Sequence, residues 1–513
     1  MPEFPCSMAA RYEVGSVVST FMALVLAACS ATAKAALTLE EATAICNADP
    51  RVGLGLTSLN VCVGAELFFR GTFGGNGRSC SSCHRVANNF TIDPAFISTL
   101  PDSDLLFVAE QDPGLAGLER PNLMRDFGLI LENVDGLEDP TKKFVMRSVP
   151  HMFSLGTSIT AQAVPTDGTT RPPNERTGWG GDGAPDNGEL RDFQNGAIKQ
   201  HYTQSLARDA DDFVLASPAE LDAIRDFSGT IGRTNEINLG AVTLTNAGAN
   251  TGRTTFMSAA ARCNGCHNNA GANVASGINR NFDTGVERAR IAELDGQGIP
   301  FDGGFGGPAA NEPFDFNFDS NGDTMPDSFG KGTFNTPPLI EAADTGPFFH
   351  SNAFESIEAA IAFYNTPAFN QSPAGLAGTP IALTTTEIAG IGSFLRVLNV
   401  AFNAQIAIKR ISAVISIIDG VGNQSVAVQK GLLKLARVEV EDAIDMLAPF
   451  PLLNPASRVR LIVARGLLQA AAQQNLAAVR RALANAALNS VTNANSGLGT
   501  GLGFTMGAGT LMF

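Results

Sequence analysis

Two Cys-x-x-Cys-His motifs, Cys80–His84 within "RSCSSCHRV" and Cys263–His267 within "ARCNGCHNN", constrain this chain more than any other feature it has. Cysteines three positions apart on a tight turn can hold a c-type haem by two thioether bonds, and the histidine that follows is carried under the iron as its proximal ligand. Zinc held by paired Cys-x-x-Cys turns is the competing reading. Such pairs usually stand roughly 15–20 residues apart and need no histidine after each. The spacing therefore favours two covalently bound haem c groups, attached at Cys80, Cys83, Cys263 and Cys266, with His84 and His267 as iron ligands.

The chain has 513 residues and only five histidines, which leaves His151, His201 and His350 for other duties. What occupies the opposite face of each iron decides between a six-coordinate electron carrier and a catalyst with an open face. Beyond the second motif the only methionines before the tail are Met325 and Met446, and Met325 lies in an acidic loop. His350 or Tyr364 is therefore the expected distal partner of the second iron.

Residues 1–35 read as a secretory leader: Arg11, an apolar run from Val17 to Ala28 too short for a stable anchor, then small residues. Two processing sites compete, one after Ala33-Lys34-Ala35 and a lipoprotein-type cut before Cys29, where "LAAC" is similar to a lipobox. Membrane attachment is expected only with lipidation at Cys29. The expected location is periplasmic, outer-membrane-associated or extracellular, and such places are oxidising. With Cys6 and Cys29 in the leader and four cysteines in the motifs, Cys46 and Cys62 remain, either as a disulfide or as two buried thiols.

The expected fold class is all-α. Residues 57–72 and 251–262 read as helices leading into the two motifs, one unit written twice, and a helical pattern covers 188–207. Ser217 with Glu220, and Thr384 with Glu387, form capping boxes that open further helices. The second of these carries Ile388, Ile391, Leu395 and Leu398 along one face. The expected domains are two cytochrome c-type haem domains (36–235 and 236–400), a helical appendage of two or three helices used for packing or docking (401–490), and a mobile or loosely docked Gly-rich tail (491–513). Before the appendage, Asp319, Asn321, Asp323 and Asp327 surround Gly322 at a spacing similar to a calcium loop, without its terminal glutamate. Calcium and a solvated Asx-rich turn are the two readings there. The net charge of -15 argues against a nucleic-acid partner, which needs clustered Lys and Arg.

The residues also carry a resemblance. "GAELFFRGTFGGNGRSCSSCH" resembles the approach to the first haem of bacterial di-haem cytochrome c peroxidases and their relatives, the methylamine-utilisation MauG group and the di-haem rubber oxygenases. In the same order, "MRSVPH" is similar to the family's Arg-x-x-Pro segment, which brings in Arg147 as a haem-binding residue. "GWGGDG" is similar to its Trp-Asp-Gly segment, and "FNTPPLIEAADTGPFFHSNAFESIEAAIAFYN" to its Thr-Pro-x-Leu and Pro-Tyr-x-His stretch. The resemblance covers about residues 57–400 and leaves the appendage outside.

What the resemblance implies is specific. The N-terminal haem, on His84, would be the reaction site, and the C-terminal haem, on His267, would take electrons from a donor cytochrome or small redox protein. Trp179, the only tryptophan, would lie between them and assist electron passage, or else be an ordinary core aromatic. Tyr364 falls where relatives carry the distal ligand of the second haem, or its hydroxyl caps a helix. His350 would lie near a propionate or axial position, or simply form a hydrogen bond. The expected activity is reduction of hydrogen peroxide; dioxygen chemistry on an apolar substrate and plain electron transfer are the rivals. Two departures matter. "RVANNFTIDPAFISTLP" holds no histidine to cap the first iron at rest. The family's distal Gln and Glu do not align: Phe193 and Thr203 fall near those places, so His201 and Gln194 become the candidate acid–base residues, with His151 behind them.

Overall fold

The computed structural model describes residues 37–133, 144–158, 160–162, 174–176, 190–299, 301–304, 333–449 and 452–513. The leader, Trp179 and the Asp319, Asn321, Asp323 and Asp327 loop lie outside the described residues.

Helix α1 (Leu39–Asn47) starts on a Thr38/Glu41 capping box, and α2 (Leu59–Arg70) on Ser58, whose hydroxyl accepts from the Val61 amide. Cys46 on α1 is disulfide-bonded to Cys62 on α2, so of the two readings of this pair the cross-link is the one observed. A hairpin of β1 (Leu129–Glu132) and β2 (Val145–Ser148) follows, antiparallel, with Ile130 opposite Arg147 and Glu132 opposite Val145. Then come α3 (Leu190–His201) and α4 (Pro218–Ser228), the latter on the expected Ser217/Glu220 box.

Helix α5 (Ala247–Phe256) leads to the second motif. It begins earlier than the 251–262 expected from sequence, because the Asn246 side chain caps the Ala249 amide, and it ends earlier because the chain turns there and Arg262 adopts a left-handed backbone. After α6 (Ile357–Phe363), helix α7 (Thr385–Val421) opens on the expected Thr384/Glu387 box.

In both halves the helix ahead of the motif crosses a later helix at a glycine. A β-carbon on Gly64 of α2 would stand 1.9 Å from the Ala223 carbonyl oxygen of α4, and one on Gly252 of α5 would stand 1.8 Å from the Gly390 carbonyl oxygen of α7. No side chain fits at either crossing, so backbone meets backbone.

Three sequence expectations need correction. The fold is mainly α, yet the described residues also contain four two-stranded ribbons, which an all-α reading missed because strands of two to four residues leave too short an alternation to detect. The boundary at 400 falls inside α7, which runs unbroken for 37 residues since no Gly or Pro interrupts 393–419. By length and composition α7 is apolar enough to cross a membrane, but 78% of its apolar window is buried within the protein, as in a core helix. Its distal half packs with α8 (Val426–Met446), α9 (Pro455–Gln473) and α10 (Ala477–Ser496); consecutive helices touch and α10 returns to α7, closing a four-helix bundle rather than two or three helices.

The third correction is the tail. Gly499 and Thr500 pair with Leu244 and Thr243, Met506 bridges Arg233, and Leu511 and Met512 are buried. Two arginines hold its carbonyls: buried Arg410 donates from Nε to Thr510 O (3.1 Å) and half-buried Arg51 from Nη1 to Leu511 O (2.5 Å). Low side-chain volume, which looked like looseness in the sequence, is what lets this strand lie close, as at Gly507 against the Thr230 carbonyl.

Candidate active site

The first motif makes a single tight turn, Cys80–Ser82, in which the Ser79 amide donates to Ser82 Oγ (3.0 Å). Behind it, Asn89 and Phe90 both take left-handed backbone (φ 55° and 59°), and the Phe90 carbonyl returns to the His84 ring, 2.9 Å from Nδ1. A carbonyl oxygen can only accept, so Nδ1 carries the proton and Nε2 keeps the lone pair.

The second motif repeats this by other means. Arg262 ties the turn Cys263–Cys266 to the 374–379 loop through the carbonyls of Ala374 (2.7 Å) and Gly375 (2.8 Å). His267 Nδ1 lies 2.9 Å from the Pro337 carbonyl, which fixes the same tautomer. An imidazole so held presents Nε2 to a metal, and its carbonyl partner sets the ring orientation.

Burial pulls both imidazoles below their ordinary range, His267 to about 4, so each is neutral at pH 7, the form in which an imidazole can bind a metal. Burial likewise pushes the Cys80 and Cys83 thiols up to about 11 and Cys263 to about 12, and raises Cys266. Among the described residues no three His, Cys, Asp or Glu groups are placed together as a metal-holding cluster.

A cavity of about 120 Å³ adjoins the first motif, lined by Cys80, Cys83 and His84 among others. Much of its wall comes from one face of α3, where Leu190, Phe193, Gln194, Ala197 and His201 follow helical spacing. The two sequence-nominated residues are thus brought together on this wall. Gln194 Oε1 is buried there with no hydrogen-bond partner among the described residues.

His201 Nε2 lies 3.4 Å from Glu132 Oε1, and Gln200 Nε2 donates to Glu132 Oε2 at 3.0 Å. Burial pushes the Glu132 carboxyl up, but the hydrogen bond and charge of His201, with Arg147 and Gln200, together hold it below the usual carboxylate range. His151 also lines the cavity; burial first, then Arg233 and His84, pull it down to about 3, so it is uncharged at neutral pH. The Tyr202 hydroxyl donates to Cys80 Sγ at 3.2 Å.

Tyr364 is half-buried near the second motif, where desolvation first, and then proximity to Cys263 and Cys266, hold its phenol above the ordinary value. His350 stacks on Phe334, with 4.2 Å between ring centroids, and its charged neighbours are Asp302, Arg147 and Arg290. Arg147 makes a two-point ion pair with Asp302, Nε–Oδ2 2.5 Å and Nη2–Oδ1 2.7 Å. Thr203, one of the two positions near the family's distal pair, turns away to Ser205 O and Asp212.

Sequence reasoning missed Glu132, Tyr202 and Asp302. Glu132 ends a strand that was not anticipated, and its only trace is a carboxylate closing the apolar run "LIL". Tyr202 directly follows His201, but nothing local in the sequence ties it to Cys80. A scan of the chain against protein-family models finds no match, and a search of curated proteins finds none either.

Proposed function

We propose that this chain is an exported di-haem c-type oxidoreductase that reduces hydrogen peroxide at the His84 haem with electrons received through the His267 haem. The observation that carries the reading is the repeated seat: in each Cys-x-x-Cys-His motif the imidazole gives its Nδ1 proton to a backbone carbonyl at 2.9 Å and keeps Nε2 for a metal. The residues fit the group. Cys80 and Cys83 share a largely carbon-lined cavity with His84 and would hold one haem; Cys263, Cys266 and His267 would hold the other, with Tyr364 beside it.

When bound, haem supplies an iron able to pass two electrons to a peroxide, which also takes up two protons to leave as two waters. The protein's own part is proton handling and water exclusion. His201 can hold a proton at Nε2 and exchange it across the 3.4 Å contact with Glu132, whose carboxylate stays ionised at neutral pH. Gln194 offers its unpartnered Oε1 to a donor in the cavity and would orient it. Ile130, Leu155, Leu190 and Phe193 keep bulk water from this wall. Trp179, by the family resemblance, would pass electrons between the two haems, and Arg147 would help fix a haem edge alongside its bond to Asp302.

The test is a resting-state paramagnetic resonance spectrum joined to turnover. One high-spin ferric signal, peroxide consumption with a reduced cytochrome donor, and a mass showing two added macrocycles are expected. Two low-spin haems without turnover would indicate an electron carrier instead. The apolar wall gives the second reading its one support: the same site acting on dioxygen and an apolar substrate, in which case oxygen uptake with a hydrocarbon replaces peroxide turnover.

A further inference from the structure

Every one of the 50 acidic residues lies before position 446, although the chain as a whole carries a net charge of -15. Residues 446–513 contain five arginines, no lysine and no acid. They build α9, α10 and the tail, so a strongly anionic protein presents one cationic region.

The same region is apolar where it should be polar. Helix α9 buries Leu461, Ala464, Leu468 and Ala471 against the bundle. Its opposite face should carry charge, but it shows Val459 (60% exposed), Ile462 and Val463 (53% exposed), followed by Gly466. These four lie within about 60° of one line along the helix at the α-helical advance of about 100° per residue. Arg460 and Arg465 flank that line on opposite sides; both are exposed, and neither forms an ion pair among the described residues. Where α10 begins, Leu476 (67% exposed) and Val479 extend the apolar surface. Arg480 and Arg481 are already engaged, with Gln429 and Asp419 respectively, and add nothing outward.

We propose that this face of α9, with the start of α10, docks flat on an anionic phospholipid surface. An apolar stripe bordered by arginines is the pattern of a helix lying at the headgroup boundary, its carbon side sunk among acyl chains and its guanidinium groups among phosphates. Charge complementarity selects lipid over a second copy of the chain. A symmetric pairing of this face would set Arg460 and Arg465 against their own copies, whereas phosphates neutralise them. The acidic remainder of the chain turns the molecule so that this face leads. The docking does not depend on lipidation at Cys29, nor on the haem reading.

The experiment is co-sedimentation of the holoprotein with vesicles of phosphatidylglycerol and phosphatidylcholine, and with vesicles of phosphatidylcholine alone. It is repeated for Arg460→Glu with Arg465→Glu, and for Val463→Asp. All variants share residues 1–36, so any contribution of that segment is common to them. The substituted side chains are exposed, and unchanged far-ultraviolet circular dichroism verifies that the bundle survives. Binding to the anionic vesicles, loss of binding as salt rises, and a drop of roughly tenfold or more for the double charge reversal are expected, because each arginine near such a surface contributes about fivefold. Equal binding to both vesicle types, binding unmoved by the variants, or a wild-type dimer that Val463→Asp dissociates without any vesicle binding would each overturn the proposal.

Discussion

The ring of Phe513 stands edge-on to that of Phe90, with 4.8 Å between centroids and 84° between planes, and Phe90 supplies the carbonyl that receives the His84 Nδ1 proton. Phe513 also reaches Phe69 (6.1 Å) and Phe227 (6.4 Å), and the Arg410 guanidinium lies over its ring at 4.7 Å. Arg410 is itself paired with Glu439 of α8 at 2.6 Å. The tail and the helical bundle therefore brace the left-handed turn that orients the first imidazole. Among the described residues nothing comparable touches the second, which rests on Pro337.

Phe513→Ala should lower stability by roughly 2–3 kcal/mol, somewhat less than for a fully buried ring because Phe513 is only partly buried. Nitrogen-15 resonance of the imidazoles should show a weakened Nδ1 hydrogen bond at His84 and an unchanged one at His267. Equal changes at both rings, or at neither, would refute the bracing role.

His201→Ala should reduce peroxide turnover by about 10²–10⁴-fold, the usual range for a lost general acid–base group, while both haems remain attached. Glu132→Gln should cost less, because the amide keeps contact with Gln200 but cannot take a proton from His201. The acid limb of the turnover profile identifies the couple. Glu132 is held below the usual carboxylate range, so its charge disappears only at low pH, and the variant should lose that limb. Identical profiles for wild type and Glu132→Gln would remove Glu132 from the mechanism.

Much of this molecule was legible in the sequence wherever a short-range signal carried the chemistry. The two capping boxes appear where Ser217/Glu220 and Thr384/Glu387 place them, since each depends on residues three apart. The Gln194 and His201 pairing on one wall follows from their shared helix face. What could not be read depended on distant partners. Glu132 gains its role only when a hairpin brings it to His201, and the tail gains order only from Arg51, Arg410 and Gly232, far away along the chain. The boundary at 400 was drawn at a change of composition, which an uninterrupted helix does not respect.

The Cys46–Cys62 bond joins α1 to the helix that leads into the first motif, across 16 positions. A cross-link over a loop of this length typically contributes about 3 kcal/mol, largely by restricting the unfolded chain. Cys46→Ser, or reduction of the wild type, should lower the unfolding midpoint, and reductant should then have no further effect on the variant. An unchanged midpoint for the variant would mean that the bond adds nothing beyond the packing of two buried sulfurs.

Asp344 and Asp442 form a half-buried acidic pair between the second half and the helical bundle. Asn403 Nδ2 donates to Asp344 Oδ2 at 2.6 Å, yet burial, and then repulsion from Glu439, raise the Asp344 carboxyl to about 7. Burial followed by Asp344 itself raises Asp442 to about 9. For Asp344 the unfolded chain titrates near 3.8, so between there and about 7 the folded state holds more protons than the unfolded one. Stability from this group is therefore fully present below the unfolded value and is lost as pH rises toward 7. Asp344→Asn keeps an oxygen for Asn403 and removes the titration. The variant should match or trail the wild type near pH 4 and exceed it by on the order of 1–3 kcal/mol at pH 8. Thermal unfolding of both proteins across that window reads the difference directly, and carboxylates shifted the other way, such as Asp302, cancel from it. A difference that stays flat, or that grows toward acid, would contradict the acidic pair as the source.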